Sequence, residues 1–175
     1  MLEGVPFVFR REWSVWEEIR DEIRCCLGTP QTFLRLTGSA NTGWSFRTGN
    51  AFDPARSDLD LLLIDSGLFA ELEVAVNRSL AARTAGEPWA TTRWKTLAVA
   101  DVKRHLKRRF VQLDRLPAKL AVQRRFLRCR EAISRILTER SATPTLKKVS
   151  FRVYETEDAA IRQLARSLEP GALAA

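Results

Sequence analysis

The chain has 175 residues, 45% hydrophobic and 29% charged, with a formal net charge of +8. That length can bury one ordinary core, and that composition excludes a disordered chain. No apolar run nears the roughly 18 residues that span a bilayer. The opening residues MLEGVPFVFRREW also lack the apolar centre of a signal peptide, so the expectation is a cytoplasmic protein with no membrane partner.

In chain order, Trp13, Trp16, Ile19, Ile23 and Leu27 recur at helical spacing over 12–27, with Gly28 and Pro30 as the stop. QTFLRLT (31–37) reads as a short strand that empties into Gly38-Ser39. Residues 40–57 carry Gly, Asn and Pro and read mostly as loop, with a short helical turn after Ser39. SDLDLLLID (57–65) is a strand. Residues 67–83 form a helix with Leu68, Leu72, Ala75, Val76 and Leu80 inward, 84–94 a turn or loop, and 97–110 another helix. Pro117 starts a long helix whose stripe is Val122, Phe126, Cys129, Ile133 and Ile136 or Leu137, and Pro144 breaks it. KKVSFRVYE (147–155) alternates as a half-buried strand, and EDAAIRQLARSL is a final helix. The order predicts an α+β fold, a small mixed sheet flanked by helices, in a single domain over 1–175. Its core would be 12–83 with a returning strand near 147–155, and 97–140 would be a basic helical segment.

The positive charge is one block. Residues 103–152 hold 16 Lys/Arg and 3 acids, against 11 and 14 in 1–102, and 2 and 4 in 153–175. Such a block either meets a polyanion or forms a solvated helix face. Cys25, Cys26 and Cys129 lack metal-ligand spacing and read as free buried thiols in a reducing compartment. A single histidine, His105, cannot make a His-based metal site and reads as a solvated helix position. Trp89 and Trp94 read either as core or as base-stacking residues, and Lys95, Lys103 and Arg104 are candidate phosphate contacts.

The chemistry concentrates in TGSANTGWSFRTGNAFDPARSDLDLLLI (37–64). Successive strand side chains face opposite ways, so Asp58 and Asp60 leave one face with Cα atoms about 6.5–7 Å apart. Two hard carboxylates at that separation suit Mg²⁺ or Mn²⁺ rather than zinc. Leu59, Leu61 and Leu63 anchor the opposite face. Gly38 allows a sharp turn and close approach, and Ser39 with the following amides can form an anion-binding turn. A phosphate turn on one strand beside a carboxylate pair on the next is an arrangement for a nucleoside triphosphate. The blander reading is a loop with solvated aspartates at a strand start, which leaves Asp60 between two leucines unexplained.

GSANTG followed by SDLDLLLI resembles the signature of the DNA polymerase β-like nucleotidyltransferase superfamily, and residues 12–65 follow the order of its core. The resemblance implies that Gly38 and Ser39 hold the triphosphate and that Asp58 and Asp60 are catalytic metal ligands. It implies transfer of a nucleoside monophosphate from an NTP to an acceptor, with release of pyrophosphate. The basic segment 103–152 favours a nucleic-acid acceptor such as tRNA. The size is similar to small stand-alone bacterial members, some of which act in toxin–antitoxin systems. Two departures stand out. GWSFRTGNAFDPAR is an insertion carrying Trp44, Phe46 and Phe52, a loop for stacking a base or gripping the acceptor, or one that simply packs. The superfamily's third carboxylate has no clean match: Glu155 and Asp101 are candidates, and its absence would leave a nucleotide- or RNA-binding module.

Overall fold

The computed structural model describes residues 5–29, 32–46, 48–82, 93–116, 120–140 and 148–168. Pro30, Trp89, Pro117 and Pro144 lie outside the described residues, as do the 84–92 turn and the side chains of Trp94 and Lys95. The protein is α+β, and its described residues form six helices and one four-stranded mixed sheet. The helices are α1 (Trp13–Leu27), α2 (Ser39–Thr42), α3 (Ser66–Ala82), α4 (Arg93–Lys107), α5 (Ala121–Arg140) and α6 (Glu157–Leu168). The strands are β1 (Phe33–Thr37), β2 (Asp58–Ile64), β3 (Phe110–Gln112) and β4 (Lys148–Tyr154), in the spatial order β1-β2-β4-β3. No helix among the described residues is long and apolar enough to cross a membrane.

The chain divides into two compact units, and β4 contributes to both. The first comprises the residues up to Leu63 with Phe126–Phe151. Here α1 buries Val15, Trp16, Ile19, Ile23 and Leu27. It ends where Gly28 takes a left-handed conformation and donates its N–H to the Arg24 carbonyl, the usual way to stop a helix with glycine. Strand β2 buries Leu59, Leu61, Leu62 and Leu63, each worth roughly 1.5–3 kcal/mol of transfer free energy. From α5, Phe126 packs edge-on against Phe151 at 5.4 Å, while Arg124, Arg128 and Arg135 stay exposed. The apolar stripe of α5 is the one its periodicity predicts.

The second unit comprises Ile64–Arg125 with the residues from Arg152 onward. Asp65 accepts the Leu68 N–H at the start of α3, and Thr156 accepts the Ala159 N–H at the start of α6. Both are cap bonds that satisfy otherwise unpaired amides. Strands β3 and β4 pair antiparallel, with Phe110 opposite Tyr154 and their rings stacked at 5.2 Å.

Four expectations are corrected. Trp13, placed on the apolar stripe of α1, is exposed, and Val15, two residues on and on the other side of the helix, is buried instead. Cys25 is exposed rather than buried, since it follows Arg24 on the outer side; Cys26 is half-buried and Cys129 buried. Burial and the neighbouring Glu22 push the Cys26 thiol up to about 11, and burial raises Cys129 further, so neither is a ready thiolate. His105 is not solvated: it lies 4.4 Å from the Phe110 ring, and burial lowers its pKa to about 4. The helix expected over 97–110 ends at Lys107, and Phe110 opens β3 instead. The break is Arg109, whose φ of 59° is left-handed. Its guanidinium is gripped by Glu155 and Glu73 and lies 4.9 Å from the Phe69 ring centroid.

Candidate functional site

The site is built where β1 ends and β2 begins, in the first unit. Thr37, the last residue of β1, donates its hydroxyl to the Asp60 carbonyl at 3.2 Å and so ties the two strands together. The next residue, Gly38, has φ 71° and ψ −162°, a combination open essentially to glycine alone. There is a second reason for glycine. A Cβ built on Gly38 would sit 3.0 Å from Oδ2 of Asp60, so the backbone of the turn lies directly against this carboxylate. The Gly-Ser turn and the second aspartate, 22 positions apart in the chain, are thus brought together.

Asp58 and Asp60 alternate with buried leucines along β2, and both are half-buried. The strand therefore presents two carboxylates on the face opposite Leu59 and Leu61. The two oxygens of Asp60 have different surroundings. Oδ2 faces Gly38, whereas Oδ1 accepts a 2.5 Å hydrogen bond from the hydroxyl of Ser150 on β4. Ser150 is 4% exposed, so the donor side of this part-buried bond is shielded from water.

Ser39 begins α2, and its hydroxyl donates to Ser57 Oγ at 3.4 Å. Ser57 Oγ in turn accepts the Asp53 N–H, and Asp53 closes its own turn by accepting the Ala55 N–H. Ser57 thereby links the inserted loop to the Gly-Ser turn. The insertion is not shapeless. Trp44 and Ala51 bridge antiparallel, Ser45 N–H donates to the Asn50 carbonyl, and Phe52 N–H donates to the Gly43 carbonyl, which makes a small hairpin. Phe7 supports its base: a Cβ on Gly43 would strike the Phe7 ring at 2.8 Å, and Phe7 meets Phe52 edge-on. Trp44 and Phe46 are left 49% and 69% exposed on this hairpin.

The candidate third carboxylates belong to the second unit and are each engaged by arginine. Glu155 is held by two hydrogen bonds from Arg109, which keep its carboxyl below the ordinary range and raise the guanidinium correspondingly. Asp101, on α4 as expected, pairs with Arg104 one turn on. Among the described residues no group of three or more His, Cys, Asp or Glu could hold a metal ion.

Sequence reasoning singled out Gly38, Ser39, Asp58 and Asp60, and the structure joins Gly38 to Asp60 directly. It did not find the roles of Ser150, Ser57 and Thr37. The returning strand was legible, but nothing local in KKVSFRVYE says that Ser150 stands opposite a residue 90 positions earlier. Comparison with protein-family models, curated proteins and solved structures finds no match to this chain.

Proposed function

We propose that the protein is a metal-dependent nucleotidyltransferase that moves a nucleoside monophosphate from an NTP to an acceptor and releases pyrophosphate. The observation that carries this reading is the approach of the Gly38 backbone to the Asp60 carboxylate, on a strand whose other half-buried carboxylate is Asp58. Gly38 and Ser39 would hold the triphosphate, and Asp58 and Asp60 the cation. The donor set suits Mg²⁺ or Mn²⁺: magnesium takes hard oxygen ligands, keeps several waters, and is commonly held by one or two carboxylates together with substrate phosphates. When bound, it would neutralise charge on the phosphate oxygens. The chain's own part is to present two carboxylates from a strand anchored by leucines, and to keep Asp60 oriented through Ser150. The basic segment 103–152 favours a nucleic-acid acceptor such as tRNA.

A second reading keeps the fold and drops turnover: a nucleotide- or RNA-binding module. Ser150 favours it, because a hydroxyl rather than a carboxylate faces Asp60 from the neighbouring strand.

The test is thermal unfolding with and without Mg²⁺-NTP, followed by labelling of RNA with radioactive NTPs. Saturation at about 100 times Kd adds about 2.7 kcal/mol, a rise of roughly 5–10 °C for a chain of this size. Asp58→Asn and Asp60→Asn should each abolish that rise. A rise with no label on any acceptor selects the binding module. No rise with any nucleotide refutes the enzyme and the nucleotide-binding module, and no binding of labelled RNA refutes the RNA-binding form.

A further inference from the structure

The second unit carries a basic recess that the reading above does not use. It has a volume of about 150 Å³ and is lined by Lys107, Arg108 and Arg109 at the end of α4 and by Arg162 and Arg166 of α6. Cations at a helix C-terminus are ordinary, because they complement the helix dipole. That explains Lys107 and Arg166, each in the last turn of its own helix. It does not explain why Arg162 and Arg166, more than 50 positions away in sequence, converge on the same recess. They lie four apart on α6 and therefore on one face of the helix. No acid lines the recess, and the acids of α6, Glu157 and Asp158, sit in its first turn. Arg109 is compensated by Glu155 and Glu73. Lys107, Arg108, Arg162 and Arg166 form no ion pair with a described residue. Four uncompensated cations from two elements around one small hollow are a charge arrangement that an anion would relieve.

A second hollow of about 360 Å³ adjoins it, sharing Lys107 and Arg109 and adding Asn77, Lys103, Leu106 and one acid, Glu73, whose carboxylate is taken up by Arg109. The smaller has room for a phosphate group but not for a base stacked on an aromatic, since no aromatic lines it. The larger has a mixed lining of amide, apolar and charged groups that suits a sugar with its next phosphate. Concave hollows of this size admit a strand that presents its phosphates one at a time. A duplex offers a broad convex surface and does not enter them.

We propose that these two hollows are a binding track for the phosphodiester backbone of single-stranded nucleic acid, with Lys107, Arg108, Arg162 and Arg166 as the phosphate contacts. The track deepens the nucleotidyltransferase reading by giving the acceptor strand a docking place, and rests on that reading only for the strand being an acceptor. Recognition through phosphate is independent of sequence and strongly salt-dependent.

The experiment is anisotropy of a short labelled oligouridylate with the full chain, titrated with KCl and without Mg²⁺ or NTP. Four phosphate contacts predict a log–log salt slope of about −2.8, at about −0.7 per contact for single strands. Arg162→Gln/Arg166→Gln should reduce the slope to about −1.4, and Lys107→Gln/Arg108→Gln should do the same from the other element. All four positions are exposed, and an unchanged melting curve confirms that each variant folds. Arg124→Gln/Arg128→Gln, on the exposed face of α5, should leave the slope near −2.8 as well. The DNA counterpart should bind with the same slope, and the matching duplex more weakly. Tighter binding to the duplex overturns the proposal, as does binding to phosphatidylserine vesicles with none to the single strand. Unchanged slopes in the α4 and α6 variants also overturn it. Asp58→Asn and Asp60→Asn should retain full binding here, so loss of nucleotide-dependent stabilisation and loss of strand binding are separate failures.

Discussion

Replacing Gly38 with alanine separates a turn that merely tolerates glycine from one built against a carboxylate. The backbone at φ 71° and ψ −162° costs a residue with a Cβ about 1–3 kcal/mol. The new methyl would lie 3.0 Å from Asp60 Oδ2, inside normal contact, so the carboxylate must turn away. It is not free to turn, because Oδ1 is held by Ser150; giving up that bond costs about 1 kcal/mol more. Together these destabilise the protein by about 2–4 kcal/mol, a fall in melting temperature of roughly 5–15 °C. Gly28→Ala is the control. Gly28 is also left-handed, at φ 65°, but a Cβ there meets nothing within 4 Å, so strain alone applies at about 1 kcal/mol. Urea unfolding with a constant m value gives the comparison. The coupling is tested by Gly38→Ala/Ser150→Ala. Once Ser150 no longer restrains Asp60, the carboxylate can yield, and the double variant should lose less than the sum of the singles. If Gly38→Ala costs no more than Gly28→Ala, or if the double variant is strictly additive, the contact between turn and carboxylate is not what fixes glycine at this position.

Two further outcomes follow from the same coordinates. Burial holds His105 neutral, with its pKa at about 4 against an ordinary value of 6.5, while Asp101 opposes the shift and Arg104, Arg115 and Arg108 add to it. The folded value is depressed, so the stability His105 contributes is present above pH 6.5 and is lost as pH falls toward 4. The full shift is worth about 3 kcal/mol, or about 2 kcal/mol when discounted for partial exposure of the ring. Urea unfolding of the native chain and of His105→Phe between these two pH values checks it, and a stability difference that stays constant across the window refutes it. Trp44→Ala and Phe46→Ala should change stability by no more than about 0.5 kcal/mol, since both side chains are largely exposed. If the hairpin stacks a base, nucleotide affinity measured with a fluorescent NTP should fall by about 1–3 kcal/mol; unchanged affinity in both variants makes it a packing insertion only.

What the sequence made legible was whatever a short-range pattern encodes. The stripes of α1 and α5 follow from the helical period, and β2 follows from an apolar run with acids at every second position. Strand β3 did not register because three residues carry no period, and its start depends on Arg109 adopting a left-handed turn that its own type disfavours. That turn is held by Glu73 and Glu155, 36 and 46 positions away, so no local window contains its cause. The burial of His105 has a cause of the same kind. The segment around it, Lys103, Arg104, Lys107 and Arg108, is basic and exposed, while the ring that covers it comes from β3. Of the site, the residues were legible and their contacts were not. The Gly-Ser pair and the aspartates stand out by type and spacing, but the placement of Gly38 on Asp60 and of Ser150 across from it depends on strand pairing.

Ser150 shows why the site is coherent even before any ligand is considered. A carboxylate at this buried position would sit beside Asp60 with like charge, and such a pair needs a cation or a shared proton to persist. A hydroxyl instead donates to Oδ1 and satisfies one side of Asp60 without adding charge. Oδ2 stays against the glycine turn. Asp60 is therefore held in place by the protein's own groups. The two proposed readings, enzyme and binding module, differ not in how Asp60 is held, but in whether a nucleotide would bring the remaining cation ligands with it.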